Sequence, residues 1–175
     1  MSLLQSPILD PTFESDVEMT DFRDAMAALA ATACLVTAAD GGLRLGRTVT
    51  AAFSLSAQPP AILVSIDASA PLAALIRKRA GFSFAIFAEG QQAIADGFAG
   101  KVPQEHRFEQ GTWGDWPSGH PRLAHAVAAM DCSVIGEIEL DSHILFAGGL
   151  TRIGLDRTAR PLVWHQRQYK SVQPL

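Results

Sequence analysis

The sequence is poor in the residues that build many structural and catalytic sites. Its 175 residues include only two cysteines, Cys34 and Cys132, and each lies in an apolar stretch far from the other. We expect two buried free thiols instead of a disulfide, as in proteins of a reducing cytoplasm. Neither cysteine belongs to a paired-thiol motif, and the 5 histidines lack the spacing of a zinc protease, so we predict no metal site.

Long hydrophobic runs and an excess of basic residues are also missing. No apolar run is long enough to span a bilayer, and the N-terminus lacks the basic start and apolar stretch of a secretory signal. The net charge of −4 argues against nucleic acid as the main partner, because such a partner favours a basic surface. We therefore expect a cytoplasmic protein that binds neither nucleic acid nor membrane.

The motifs by which common folds bind nucleotides are absent as well. Gly41, Gly42 and Gly46 do not have the spacing of a dinucleotide fingerprint, and there is no Walker loop. No Gly-x-Ser-x-Gly sequence is present, so serine hydrolysis has no support. A nucleotide bound by this chain must occupy a site that is not a Rossmann unit.

The residues that are present predict one domain rich in short strands. We assign residues 20–175 to this domain and residues 1–19 to an extended N-terminal arm. Strands are predicted at residues 34–38, 61–66, 82–87, 132–140, 143–153 and 161–165, and helices at residues 71–79, 91–99 and 122–130. A further helix, capped by Thr20, precedes the first strand. Short strands joined by tight turns predict a mainly β fold, a barrel decorated by short helices.

The segment from Gly46 to Pro60 is rich in small and hydroxyl-bearing residues. Small side chains let a ligand approach the main chain, and Thr48, Thr50 and Ser54 offer hydroxyl donors. Such a segment suits a phosphate or the polar edge of a flat ring. Taken alone, it fits an ordinary strand and loop of a β-barrel at least as well.

The whole pattern resembles the flavin reductase-like family, the split-barrel FMN-binding proteins. The resemblance rests on segments that stand in the family's order, at residues 22–32, 46–60, 65–70, 98–100 with 107–108, and 142–148 with 161–169. It covers nearly the whole chain, and the order is more specific than any one segment. There are departures: Ala33-Cys34 replaces a glycine-containing turn, Thr50 stands where serine or asparagine is common, and residues 104–106 lack the usual basic–acidic pair.

The resemblance implies a split β-barrel that binds FMN, with FAD as the alternative. The residues implied to line the flavin ring and its ribityl side are Thr48, Val49, Thr50 and Ala51, with Ser54 nearby. Those implied along the ribityl chain and phosphate are Asp67, Ala68 and Ser69, and the rest of the wall would be Phe98, Ala99, Gly100 and Arg107. Without the resemblance, Phe98 is better interpreted as a core residue than as a ligand contact. Arg107 is then equally well interpreted as a surface charge or as a phosphate contact.

His143 and Tyr169 are the catalytic candidates that the resemblance implies. Both would face the open side of the flavin, where His143 would hydrogen-bond the nicotinamide amide and Tyr169 would shape the pocket. Without the resemblance, His143 equally fits a histidine at a turn, and Tyr169, the only tyrosine, equally fits packing.

The implied activity is that of an NAD(P)H:flavin oxidoreductase. The resemblance also implies a homodimer with the flavin near the subunit interface. This enzyme would release reduced flavin to a separate monooxygenase. Hydride transfer from NADH or NADPH to flavin is chemistry of the cofactors, so a missing acid–base pair is no objection. An FMN-binding carrier or electron-transfer module without reductase activity remains an alternative. Oxidation of pyridoxamine phosphate ranks last, because no basic cluster suits that substrate.

Overall fold

The computed structural model describes residue 10 and residues 12–174. The predicted N-terminal arm lies partly outside these residues, and Met19 already belongs to the first helix. The elements through the second helix are α1 (Met19–Ala27), β1 (Ala31–Thr32), β2 (Cys34–Asp40), β3 (Leu43–Val49), β4 (Ala52–Ala57), β5 (Pro60–Asp67) and α2 (Pro71–Arg79). Then come β6 (Gly81–Ile86), α3 (Gln92–Asp96), a π-helical turn (Gly97–Lys101), a 3-10 helix (Gln104–Glu109), β7 (Trp113–Asp115), β8 (Pro121–Leu123), β9 (Ala128–Glu139), β10 (His143–Leu155), β11 (Val163–His165) and β12 (Gln168–Lys170).

Seven antiparallel strands form the main sheet, in the order β3-β2-β6-β9-β10-β5-β4. Its two edge strands, β3 and β4, are consecutive in the chain and are joined only by Thr50 and Ala51. The sheet therefore curls until its edges meet at this junction, where they do not pair with each other. This arrangement confirms the predicted mainly β, split-barrel fold.

Two smaller sheets and the helices surround the main sheet. One small sheet has the order β1-β11-β12, and the other is the β7-β8 pair. Helix α2 packs against β2, β3, β5 and β6 through its buried residues, which are Leu72, Ala73, Leu75 and Ile76. Because Pro71 is tolerated in the first turn and Arg77, Lys78 and Arg79 favour the last, α2 has the predicted bounds.

The apolar core is divided into two clusters by the main sheet. One cluster joins α2 to the barrel strands and includes Val36, Val64 and Phe146. The other lies under α3 and the long loops and includes Phe87 and Phe98. Strand β2 contributes to both clusters, because successive side chains of a strand point to opposite faces.

The sequence-based prediction of a helix at residues 122–130 is wrong. Leu123 ends β8, His125 has a left-handed φ of 58°, and Ala128 begins β9. Ala128 pairs with Ile86 on one side and Leu155 on the other, so sheet pairing overrides the helical propensity of the alanines. Two further boundaries differ: Glu18, not Thr20, is the N-cap of α1, and the helix predicted at residues 91–99 ends at Asp96 before the π-helical turn.

The two cysteines are both free and buried, as predicted. Burial disfavours the thiolate and raises the pKa of each thiol to about 12, so neither is a reactive nucleophile at neutral pH. Among the described residues, no helix is long and apolar enough to cross a membrane.

Candidate functional site

The junction between β3 and β4 lies between two pockets that share its residues. The first, of about 250 Å³, and the second, of about 210 Å³, are both lined by Thr48, Val49 and Thr50. The hydroxyl of Thr48 donates to the carbonyl of Ala95 at 2.7 Å, which fixes the end of β3 against α3. In the described part of the chain, the main-chain N–H groups of Thr50 and Ala51 have no acceptor, so they are available to a ligand.

The first pocket contains ionisable side chains from three strands. Arg47 comes from β3, Asp67 from the end of β5, and His143 from the start of β10. Antiparallel pairing places Asp67 and His143 directly opposite each other. The main-chain N–H of Ala68 donates to the carbonyl of Ser142 at 3.0 Å, which fixes the turn beside His143.

Asp67 is held in one orientation by the turn that follows it. Its Oδ1 accepts hydrogen bonds from the Ser69 hydroxyl at 2.6 Å and the Ser69 N–H at 2.8 Å. These bonds lower the pKa of Asp67, and the charges of His143 and Arg47 add a smaller effect in the same direction. Asp67 is therefore a fixed carboxylate whose Oδ2 can accept a hydrogen bond from a ligand hydroxyl.

The second pocket has an aromatic wall and a hydrogen-bonded ion pair. Trp164 and Tyr169 pair across β11 and β12, with ring centroids 4.8 Å apart in an edge arrangement. The hydroxyl of Tyr169 donates to Asp96 at 2.9 Å, and Lys101 binds the other carboxylate oxygen of Asp96 at 2.8 Å. Lys101 and then Tyr169 lower the pKa of Asp96, while burial and Asp96 raise the pKa of Tyr169. Tyr169 thus stays protonated and serves as a fixed wall.

A groove extends from the first pocket to Arg107. It shares Arg47 and Ala70 with that pocket and has a volume of about 250 Å³. Arg107 is oriented by hydrogen bonds to the carbonyl of Val102 at 3.0 Å and to Gln104 at 2.7 Å. Two guanidinium groups therefore line one continuous surface, which suits a phosphate.

Five predicted binding residues lie outside the walls of these cavities. Phe98 is fully buried in the core, where it makes edge contacts with Phe108 and Trp113. Its burial follows from packing, because the ring fills the space left by the missing side chain of Gly46. The other four are Ser54 on edge strand β4, Ala68 and Ser69 in the turn after β5, and Gly100. Gly100 lies immediately before Lys101 and has a φ of 109°.

The two catalytic candidates line different pockets of the single chain. His143 lies in the first pocket, Tyr169 in the second, and the end of β3 separates them. Four residues that line these pockets were not among the predicted site residues: Arg47, Asp96, Lys101 and Trp164. Arg47 and Trp164 lie inside the segments already singled out, whereas the Asp96–Tyr169 contact joins residues 73 apart in sequence, which no local pattern indicates.

The site can bind a flat polar ring and a phosphate, and among the described residues that line its two pockets the titratable side chains in hydrogen-bond contact with each other are Tyr169, Asp96 and Lys101. His143 is exposed and its Nδ1 is 2.9 Å from the Ser142 hydroxyl. No group of His, Cys, Asp and Glu suited to a metal ion occurs among the described residues.

Comparison with known proteins gives a family match over most of the chain. The family model described as flavin reductase like domain matches residues 26–173. An FMN reductase (NADH) RutF of Methylorubrum extorquens is 30% identical over 156 residues, which are 89% of this chain and 76% of that protein.

A second relative and a solved structure agree with this match. The reductase component of an FADH(2)-dependent resorcinol hydroxylase from Rhizobium sp. is 33% identical, covering 88% of this chain and 87% of its own. The solved structure of the flavin reductase PheA2 superposes with a TM-score of 0.81 at 26% identity, covering 90% of this chain and all of that one.

Proposed function

The chain belongs to the flavin reductase-like domain family, and on this premise we propose that it is an NADH-dependent flavin reductase. It reduces FMN, or FAD, and supplies the reduced flavin to a partner monooxygenase. The relatives named as an FMN reductase (NADH) and as the reductase component of a hydroxylase support both parts of this function.

The junction at the split of the barrel is the observation that carries the proposal. Free N–H groups of Thr50 and Ala51 and the small side chains around them allow a flat ring to approach the main chain. Bound flavin supplies the hydride chemistry, which needs no acid–base pair from the protein. The residues present at the junction therefore fit a flavin.

The polar residues around the junction bind and orient the ligand. We assign Arg47 and Arg107 to the phosphate, because both guanidinium groups line the same groove. Asp67 would accept hydrogen bonds from the ribityl hydroxyls through its free Oδ2, since Oδ1 is already used by Ser69. Thr48, Val49, Thr50 and Ala51 would contact the ring and ribityl chain.

His143 and Tyr169 are assigned to the nicotinamide and to the pocket wall, respectively. His143 is exposed and can offer a ring nitrogen to the carboxamide. Tyr169, with Trp164 and the Asp96–Lys101 pair, forms a rigid wall that keeps water from one side of the second pocket. Ala99 completes this wall.

We also propose that the protein is a homodimer. An outer apolar patch, formed by Phe53, Leu55, Leu63, Ile138 and Leu145, lies on the four neighbouring strands β4, β5, β10 and β9. A shallow cavity connects this patch to Thr50 and Ala51 at the junction. A second copy docked on the patch would cover the junction, so that the flavin lies beside the interface.

The proposed activity is tested by NADH consumption of the purified protein with and without added FMN. We expect oxidation that rises with FMN and saturates, which establishes flavin as a diffusible substrate. If FMN binds but neither NADH nor NADPH is oxidised, the reductase function is wrong and an FMN-binding carrier or electron-transfer module replaces it.

A further inference from the structure

A separate cavity of about 390 Å³ lies at the opposite end of β10 from His143. Strand β10 has 13 residues, so at about 3.3 Å per residue the cavity is on the order of 40 Å of strand away from the junction. Its walls come from the β8–β9 connection and the end of β10, and none of its residues lines the flavin pockets. The volume is within the usual range for small-molecule sites.

The guanidinium of Arg122, an exposed residue, is a cation in this cavity that forms no ion pair with the described residues. Its guanidinium lies over the ring of Trp116, with Cζ 4.7 Å from the centroid. A Cβ at Gly154 would be only 2.7 Å from Arg122 Nη2, so the glycine leaves the space that the guanidinium occupies against β10. The side chain of Arg122 forms no salt bridge or hydrogen bond with any of the described residues, so its N–H donors are available to a ligand.

The remaining charges of the cavity limit the charge of that ligand. His125 is in the left-handed region and lines the cavity together with Asp156. The Asp156 carboxylate is already engaged by the Thr158 hydroxyl at 2.7 Å and by the Thr158 N–H at 2.9 Å. It remains negatively charged without needing a ligand cation, and it opposes the binding of a second negative charge.

The cavity offers an organic group an apolar contact at its rim. Leu123 and Ala129 are buried, and Leu155 at the rim is exposed. An inorganic anion would leave the Leu155 side chain in contact with water, whereas an apolar body attached to the anion would cover it. The cavity thus combines one binding cation, one opposing anion and an apolar rim.

We propose that this cavity is a second ligand site, which binds a small organic monoanion through a carboxylate on Arg122. The planar guanidinium matches a carboxylate in a bidentate arrangement. The apolar body of the ligand packs against Leu155 at the rim. The proposal does not depend on the reductase function, because it uses no residue of the flavin site.

Calorimetric titration with benzoate tests the site, in saturating FMN so that the flavin site is filled. We expect benzoate to bind the unaltered protein, and neutral benzamide, which has the same shape, to bind at least about tenfold more weakly because the charge-assisted bonds are lost. Arg122→Gln should weaken benzoate binding by about the same factor. Arg157→Gln, an exposed arginine outside the cavity, should leave it unchanged.

A second variant separates loss of the site from loss of folding. Leu155→Glu adds a negative charge at the exposed rim without touching Arg122 or Trp116, and it should also abolish benzoate binding. No binding by the unaltered protein, or equal binding by the Arg122→Gln variant, overturns the proposal. Inorganic phosphate that binds as tightly as benzoate overturns the assignment to an organic monoanion.

Discussion

At the scale of single residues, His143 is the side chain on which the proposed use of a nicotinamide most depends. It stands across from a fixed carboxylate, Asp67, and its Nδ1 contacts the Ser142 hydroxyl. The second ring nitrogen makes no hydrogen bond to the described residues and can form one with the nicotinamide carboxamide. Its removal should affect the reduced nicotinamide more than the flavin, whose phosphate and ring contacts lie elsewhere.

The corresponding prediction is that His143→Ala lowers kcat for NADH oxidation about two- to twelvefold, the effect of one lost hydrogen bond of about 0.5–1.5 kcal/mol. FMN affinity, measured by quenching of flavin fluorescence, should change less than about twofold, well below the cost of a lost hydrogen bond. His125→Asn, an exposed histidine outside the flavin site, is the matched control. A rate equal to that of the control at saturating FMN and NADH would remove His143 from the mechanism.

The sequence could predict which segments meet at the junction, but it was less informative about single side chains. Thr48, Thr50, Asp67 and His143 lie at the pockets because strand ends place them there. Phe98 lies in a predicted ligand segment and yet packs inward, since the missing side chain at Gly46 gives its ring a place in the core. Lys101 acquires its role only through contacts between distant parts of the chain.

At the scale of elements, β3 supplies the floor of the site, and its position depends on Gly46. A Cβ there would lie 2.6 Å from Phe98 Cε1 and 2.9 Å from Thr37 Cγ2. Both neighbours are buried, so neither can move away without disturbing the core. The glycine is required for close packing of β3 and not for an unusual backbone angle.

We therefore predict that Gly46→Ala lowers the free energy of unfolding by about 1–3 kcal/mol, the typical cost of overpacking a core. Urea denaturation monitored by circular dichroism would measure the change. Gly42→Ala in the same hairpin is the control, because a Cβ there meets nothing within 4 Å. Equal stability of the two variants would show that β3 can shift, contrary to this account of the floor.

Helices and strands were predicted unequally well for a physical reason. Helix α2 carries its own signals in Pro71 and the basic last turn, and its bounds were predicted correctly. Residues 122–130 carry alanines and helical spacing, but their conformation is decided by pairing with β6 and β10. Such pairing joins residues far apart in sequence and leaves no local periodicity to detect.

At the scale of the whole molecule, the flavin site and the outer apolar patch are neighbours. Strand β4 begins immediately after the junction, and Phe53, the second residue of this strand, is 58% exposed. Ile138 lies opposite Leu145 on the same surface and is 42% exposed. A large apolar surface beside a ligand site marks an interface in soluble proteins. A partner subunit docked on the patch, as proposed, would therefore also lie beside the proposed flavin site.

The last prediction concerns this link between assembly and binding. Ile138→Lys places a charge in the patch, so sedimentation velocity should show a monomer, because a desolvated unpaired charge is costly in an interface. FMN affinity should fall at least about tenfold, since the junction then loses the copy that covers it. Leu43→Lys, at an equally exposed apolar residue of the β2–β3 hairpin, should remain dimeric and bind FMN normally. A monomeric variant with unchanged FMN affinity would confine the flavin site to one chain, and an unaltered protein that is itself monomeric would refute the proposed dimer.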